Sequence, residues 1–403
     1  TNRAAEAIEL LQQKRPAQFN GAYELNLANL YLSIAEFKHA NEIADKLLAH
    51  DGKASQYLLF KGVLLSKQQQ WQNAISYFDK VLLKNTEHFA AKYNKVTALA
   101  ALRDYEQAIG IISPMIDSYE NNYELLVLFA KLKRDTDDSA KAIEILTGIL
   151  KRKPRMLVAS DILFGIYYSQ QNYSLALEEA DRLTSNSFLA MKYISYKAKV
   201  LTKLERFEDA NVQLGKVLGL AESAQDFYQL SAMQTEARFF NDALTSINTA
   251  VKKAPNNRFY KLEKAKLLLT LNRNNESKIE LDKLASQQNN DANLRYTYGL
   301  FYVQSQQYKN AYREFNKALN IDGNYTAALL KMYMLAQQGI QTDSFASTIS
   351  KIAVAKPKNT FVQNLIADFY LTNGKPKKAL PHYLAIENNA SATQAYVLNN
   401  IAN

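Results

Sequence analysis

The sequence predicts an all-α solenoid, a row of about eleven helix-turn-helix units of some 34 residues each. Three observations carry this expectation. A small residue recurs at Ala40, Ala74, Ala108, Ala142, Ala176, Ala210, Ala243, Ala311 and Ala379, at steps of 34, 34, 34, 34, 34, 33, 68 and 68, with Ser277 and Phe345 at the two skipped places. Three residues earlier stands an aromatic in most units: Phe37, Trp71, Tyr105, Tyr173, Phe207, Phe240 and Tyr308. Twelve residues earlier stands a second small residue in many: Ala28, Gly62, Ala130, Ala198, Ala265, Gly299 and Ala367.

One unit shows how the elements follow. Residues 292 to 305 carry Tyr298, Gly299 and Tyr302 at helical spacing, and the polar Gln304, Gln306 and Gln307 then break the pattern. A second apolar stripe follows at Tyr308, Ala311, Phe315, Ala318 and Leu319, and the turn residues Asn320 to Asn324 end it. Two antiparallel helices approach closely only where one side is small, so Gly299 and Ala311 mark the crossing while Tyr302 and Phe315 fill the space beside it. Elsewhere Pro154, Pro255 and Pro357, each twelve residues after the recurring small position, close second helices because proline blocks further winding.

The organisation expected along the chain is a lone second helix within residues 1–20 (Ala4, Ile8, Leu11 and a closing Pro16), a continuous array over 21–390, and a lone first helix over 391–403. Both ends thus fall in mid-repeat, and a solenoid ordinarily ends in polar caps, so a parent protein continuing in both directions is expected. Thr1-Asn2-Arg3 offers neither an initiator Met nor a signal-peptide core. Two places invite a bend: Pro114, well inside a second helix, and residues 336–347, "AQQGIQTDSFAS", which match the repeat poorly. Local degeneracy is the preferred account of both.

Composition narrows the function classes. The 403 residues are 47% hydrophobic and 22% charged, which excludes a disordered chain, and no run approaches the ~18 apolar residues of a membrane span. With no cysteine there are no disulfides, no thiol catalysis and no cysteine-based zinc site. The net charge of +10, from 49 basic and 39 acidic residues, favours acidic partners only where it is focused on one surface. The four histidines, His39, His50, His88 and His382, fall on helices or helix ends with no metal-ligand spacing, and no phosphate-loop, dinucleotide or nucleophile-elbow motif occurs. Neighbouring acids such as Glu178-Glu179 and Asp137-Asp138 diverge on a helix. No catalytic residue, metal or cofactor is therefore expected. Asn172, Asn275, Asn324 and Asn389 fit the N-x-[ST] pattern, which chance explains in an Asn-rich chain.

The 34-residue period, with Tyr298-Gly299, Tyr302, Tyr308, Ala311, Phe315 and Ala318 in one unit, resembles the tetratricopeptide repeat, and the resemblance covers nearly the whole chain. It implies a right-handed superhelix of helix pairs with a concave groove lined by the fifth, ninth, twelfth and thirteenth positions of each first helix. On this sequence those positions give Tyr93, Tyr228 and Tyr296 (fifth), Asn29, Lys131, Lys199, Lys266 and Asp368 (ninth), and Arg134, Tyr168, Lys67, Lys203 and Glu236 (twelfth and thirteenth). From 131 to 296 the expected lining is mostly cationic and aromatic, Lys131, Arg134, Tyr168, Lys199, Lys203, Tyr228, Lys266 and Tyr296 against Asp135, Asp161 and Glu236, and such a surface suits an extended anionic chain. A polar groove rich in lysine for solubility alone is the competing account.

Two specialised patterns of the family are missing. The chaperone-tail clamp pairs a fifth-position Lys with a ninth-position Asn, but Leu25 accompanies Asn29 here. The asparagine ladder of the O-GlcNAc transferase superhelix is met only at Asn26, Asn94 and Asn399. The polar faces rich in Asn, Gln and Lys, the lack of cysteine and the terminal "LNNIAN" are similar to the large repeat lipoproteins of bacterial PEP-CTERM and exopolysaccharide export systems. That resemblance implies a periplasmic or outer-membrane-anchored location; without it a cytoplasmic one stands. The expected function is a non-catalytic scaffold binding an extended protein or peptide partner, with direct binding of an anionic polysaccharide as the alternative. Nucleic acid is disfavoured because duplex binders concentrate Lys and Arg far more heavily.

Overall fold

The computed structural model describes residues 2–387 apart from 15, 187–189, 288–289, 324 and 356–358. The expected terminal helix at 391–403, Pro357, and the sequons at Asn324 and Asn389 lie outside the described residues. Every regular element among the described residues is an α-helix.

The chain divides into two compact units, Thr1–Leu204 and Glu205–Asn403. The first holds α1 (Asn2–Gln13), α2 (Gly21–Ser33), α3 (Phe37–His50), α4 (Ser55–Lys67), α5 (Trp71–Leu82) and α6 (Phe89–Ala101). It continues with α7 (Tyr105–Ser118), α8 (Tyr123–Asp135), α9 (Ser139–Arg152), α10 (Leu157–Ser169), α11 (Tyr173–Asn186) and α12 (Met191–Lys203). The second holds α13 (Phe207–Leu220), α14 (Ala224–Glu236), α15 (Phe240–Lys253), α16 (Arg258–Thr270), α17 (Asn274–Gln287) and α18 (Ala292–Gln304). It ends with α19 (Tyr308–Ile321), α20 (Thr326–Gln337), α21 (Thr342–Ala355), α22 (Thr360–Thr372) and α23 (Pro376–Glu387). Even-numbered helices from α2 onward open a repeat and begin every 34 residues, with a single step of 33 at Ala224. The chain is thus an all-α solenoid of 34-residue helix pairs.

Helix starts are encoded locally. Asn20, Asn122, Asn257, Asp291 and Asn359 each accept a hydrogen bond from the backbone N–H three residues on, satisfying a donor that the first turn leaves orphaned. The recurring aromatics Phe37, Trp71, Tyr105, Tyr173, Phe207, Phe240 and Tyr308 are the first residues of their second helices. Between the two helices of a pair, one residue turns left-handed, and the next N–H reaches back five residues, as Gln70 does to Leu65 and Gln307 to Tyr302 at 2.9 and 2.8 Å. Nine of these left-handed residues carry a side chain, among them Gln69, Gln171 and Gln306, and Gly339 and Gly374 take the place in the last two pairs.

Packing within a pair rests on the small positions. The alanine near the start of each second helix is fully buried from Ala40 to Ala311, and Ala379 nearly so. A Cβ added at Gly62 or Gly299 would stand 2.4 or 2.2 Å from the ring of Phe78 or Phe315, so glycine is obligatory where the facing residue is phenylalanine. The two serine replacements are reciprocal: Ser231 donates from a first helix to the Ala243 carbonyl, and Ser277 from a second helix to the Ala265 carbonyl, both at 2.8 Å. Each buried hydroxyl thereby finds the partner its burial demands. Phe345 fills the small position outright, fully buried, with its ring 5.9 Å from Tyr333 and 4.9 Å from Phe369.

Successive repeats are tied as well. The seventh residue of a first helix reaches back sixteen residues to an acid on the preceding second helix: Lys61 to Asp45, Lys95 to Asp79 and Lys197 to Asp181, at 2.6–2.8 Å. Tyr298 makes the same link by donating to Asp282 at 2.6 Å. Pro114 sits inside α7 without ending it. In the 336–347 stretch α20 stops at Gln337, and a turn with Gly339 (φ +76°) and Gln341 (φ +53°) leads into α21.

Candidate functional site

The opening helix of each repeat buries its seventh-to-eighth and eleventh positions against its partner and leaves another face free. Position nine lies on that face: Asn29, Lys131 and Lys199 are exposed. The nine expected site residues fall into three kinds of environment.

In the first unit, Lys131, Lys199 and Lys203 are exposed on α8 and α12. Arg134 is exposed too, but both Nε and Nη2 lie 2.7 Å from Asp135 Oδ1, which spends its charge inside the same helix. Tyr93 is half-buried on α6, its ring 6.1 Å from Phe89, and burial followed by the charge of Glu124 raises its pKa. Tyr168 on α10 is held between Phe164, stacked at 5.7 Å, and Tyr173, edge-on at 5.6 Å.

An aromatic cluster grows from there. Phe164 stacks on Tyr196 at 4.1 Å and 3°, and Lys192 Nζ stands 5.2 and 5.4 Å from the Tyr193 and Tyr196 rings while pairing with Asp161 Oδ2 at 2.8 Å. Burial, then Asp161, pushes the Tyr196 pKa up, and the hydrogen bond to Asp161 pushes Lys192 up. The other oxygen of Asp161 is buried without a hydrogen-bond partner. The register places Asp161 in the expected lining, but Lys192 and Tyr196 lie at the second and sixth positions of α12, outside the fifth, ninth, twelfth and thirteenth positions that define that lining.

In the second unit, Tyr228 on α14 sits between Phe259 (5.1 Å, edge-on) and Tyr260 (5.3 Å, stacked). Tyr296 on α18 sits between Phe315 (5.7 Å) and Tyr325 (5.3 Å). Burial raises the pKa of both, Tyr228 with help from Glu263, and it carries Tyr325 up to about 12 while that hydroxyl donates to Asn293 at 2.7 Å. Lys266 is half-buried and paired with Glu263 at 2.7 Å. Further along, the face turns apolar: Leu330 and Met334, at the fifth and ninth positions of α20, and Leu371, at the twelfth of α22, are all well exposed. The sequence register contained these three, but a search tuned to charge passed over them.

These surfaces present flat aromatic rings and exposed ammonium groups. Among the described residues no cluster of three or more His, Cys, Asp or Glu could hold a metal ion, and no helix is long and apolar enough to cross a membrane.

No protein-family model matches the chain, and no curated protein does. Among solved structures, it is similar to a tetratricopeptide repeat protein from Parabacteroides merdae, with 14% identity over 59% of this chain and 94% of that one, at a TM-score of 0.45. It is also similar to yeast Tom70, with 13% identity over 100% of this chain and 91% of that one, at a TM-score of 0.43. The protein is an α-solenoid of helix pairs, defined by its own 34-residue register.

Proposed function

We propose that this protein is a non-catalytic interaction scaffold whose first-helix faces bind an extended protein or peptide partner. The observation that supports it best is the aromatic cluster of Tyr168, Tyr193 and Tyr196 around the buried Phe164 in the first unit, which also carries the exposed Lys131 and Lys199, neither with an ion pair among the described residues. Rings held by stacking lose little side-chain freedom on binding, and unpaired lysines supply charge without breaking an internal bridge. The cationic surface is narrower than composition suggests, since Asp135 holds Arg134 and Glu263 holds Lys266. A role in bacterial exopolysaccharide export or protein sorting is the biological setting that the resemblance of the polar faces supports.

The test selects dodecapeptides from a display library on the whole chain and measures their affinity for Lys131→Glu with Lys199→Glu, and for Tyr168→Ala with Tyr196→Ala. A loss of tenfold or more in both is expected. Peptides indifferent to both pairs would sink the assignment of this face. Alginate binding that collapses above a few hundred millimolar salt, where ~3–5 Å screening lengths apply, and that ignores the tyrosine pair, would favour the anionic polysaccharide instead.

A further inference from the structure

A second surface lies on the loop side of the first unit. The run Lys151-Arg152-Lys153-Pro154-Arg155 puts four cations into five residues where α9 ends. The carboxyl end of the helix dipole accounts for Lys151 and Arg152, which occupy the last turn, but not for Lys153 and Arg155, which lie beyond it. All four are exposed, and none has an acidic partner within ion-pair distance among the described residues. The Nζ of Lys153 lies 4.4 Å from the centroid of the Tyr123 ring.

Lys153 and Arg155 border an open cleft of about 1030 Å³ whose far wall is Asn121 to Glu124 at the start of α8. Tyr123 is shared with an adjoining slot of about 270 Å³, in which Ile116, Leu126, Ile145 and Ile149 are the apolar walls and Arg152 stands at the rim. Gly148 on α9 lines that slot, and a Cβ there would meet nothing within 4 Å. A glycine in a helix interior lowers stability by about 0.5–1 kcal/mol relative to alanine, and no close approach requires this one. The carboxylates that face the site are Glu120, Glu124 and Glu144, and Glu144 is held by Lys141 at 2.8 Å. Arg152, Lys153 and Arg155 line the two cavities, so three cations with no ion pair among the described residues oppose two such carboxylates beside an apolar slot with room for one side chain.

We propose that this cleft is a second docking site, for an acidic peptide segment that inserts one aliphatic or aromatic side chain. The slot between α7, α8 and α9 takes the apolar side chain, and Arg152, Lys153 and Arg155 take the flanking carboxylates. A neutral or basic segment would leave the cations uncompensated, and a polyanion without an apolar group would leave the slot empty. The site does not depend on the first-helix face and survives the failure of that reading.

The experiment runs the same dodecapeptide selection on the native chain and on Gly148→Leu, which fills the slot and should hold or raise the thermal midpoint because leucine is the better helix former. Peptides enriched on the native chain but lost on Gly148→Leu should carry acidic residues on both sides of a single large apolar one, and Arg152→Ala with Arg155→Ala should weaken them at least tenfold while Lys131→Glu with Lys199→Glu does not. Enriched peptides no more acidic than the library, or retained equally by Gly148→Leu, overturn the proposal. Saturable heparin binding that the arginine pair abolishes and Gly148→Leu leaves intact overturns it in favour of a polyanion site.

Discussion

The α10/α11 and α18/α19 pairs solve one packing problem with the volumes exchanged. In α18/α19 the eighth residue is Gly299 and the residue sixteen further on is Phe315, whose ring occupies the space a glycine Cβ would need. In α10/α11 the eighth residue is Phe164 and the residue sixteen further on is Ala180, fully buried, while the Phe164 ring turns to stack on Tyr196. What the fold conserves is the summed volume at the crossing, since interiors tolerate redistribution of volume better than its loss. The same two pairs differ at their fourth positions. Arg295 is buried against Glu314 at 2.8 Å, with Lys317 on the other oxygen; Ser160 is buried with an unpartnered hydroxyl, and Glu179 is held by Arg182 at 3.2 Å.

The largest effect that tests this comparison is truncation of the ring. Phe315→Ala should destabilise the α18/α19 pair by about 3–5 kcal/mol, because the cavity cannot collapse onto a glycine. Adding Gly299→Phe copies the α10/α11 arrangement and should recover a substantial part of that loss. Hydrogen exchange resolved to α18 and α19 reads both variants without assuming that a chain of two units unfolds in one step. A double variant no more protected than Phe315→Ala would show that the two crossings are not interchangeable.

The same residues show how much was legible. Gly299, Ala311 and the helix limits around them follow from the 34-residue spacing, because a small residue at a fixed phase has one physical cause. Phe164 breaks that phase, and nothing local announces that Ala180 compensates, since the compensation spans two helices. The candidate surface was legible to a lesser degree. A face can be read from the register, and Lys131 and Lys199 lie exposed on it, but the fate of a charge depends on neighbours three or four atoms away. Arg134 with Asp135, and Lys266 with Glu263, look like free cations only when counted one at a time. The Lys151 to Arg155 run was visible in sequence, yet its significance lies in Gly148 and the slot beneath, which only the packing of α7, α8 and α9 creates.

The buried ion pair gives an effect of about 3 kcal/mol. Glu314→Gln removes the buried carboxylate that Arg295 meets at 2.8 Å and should destabilise α18/α19 by roughly that amount. Glu179→Gln should change α10/α11 by less than about 1 kcal/mol, because its partner Arg182 is partly exposed and Ser160 carries no charge. Exchange protection of α19 against α11 measures the contrast. Equal losses in the two would mean that burial of the fourth position, and not the arginine, sets the cost. Replacing Arg295 and Glu314 together by Met and Leu should be close to neutral, since a well-packed apolar pair avoids both desolvation penalties.

The smallest expected effect is the one that should not distinguish the two pairs. Gln171 and Gln306 hold the left-handed turn of α10/α11 and of α18/α19 at φ +59° and +57°. A side chain there is strained by about 1 kcal/mol or somewhat more, and glycine is free of that strain at some loss of chain entropy in the unfolded state. Gln171→Gly and Gln306→Gly should each stabilise their own pair by a few tenths to about 1 kcal/mol, and by the same amount. Exchange in α10/α11 and α18/α19 again gives the reading. The turn is closed by backbone hydrogen bonds alone, Asn172 to Tyr167 at 2.9 Å and Gln307 to Tyr302 at 2.8 Å, so nothing in the exchanged volumes at the crossing reaches it. A gain in one pair without the other would mean that the crossing strains the turn, and that register and packing are not the separable terms the two pairs imply.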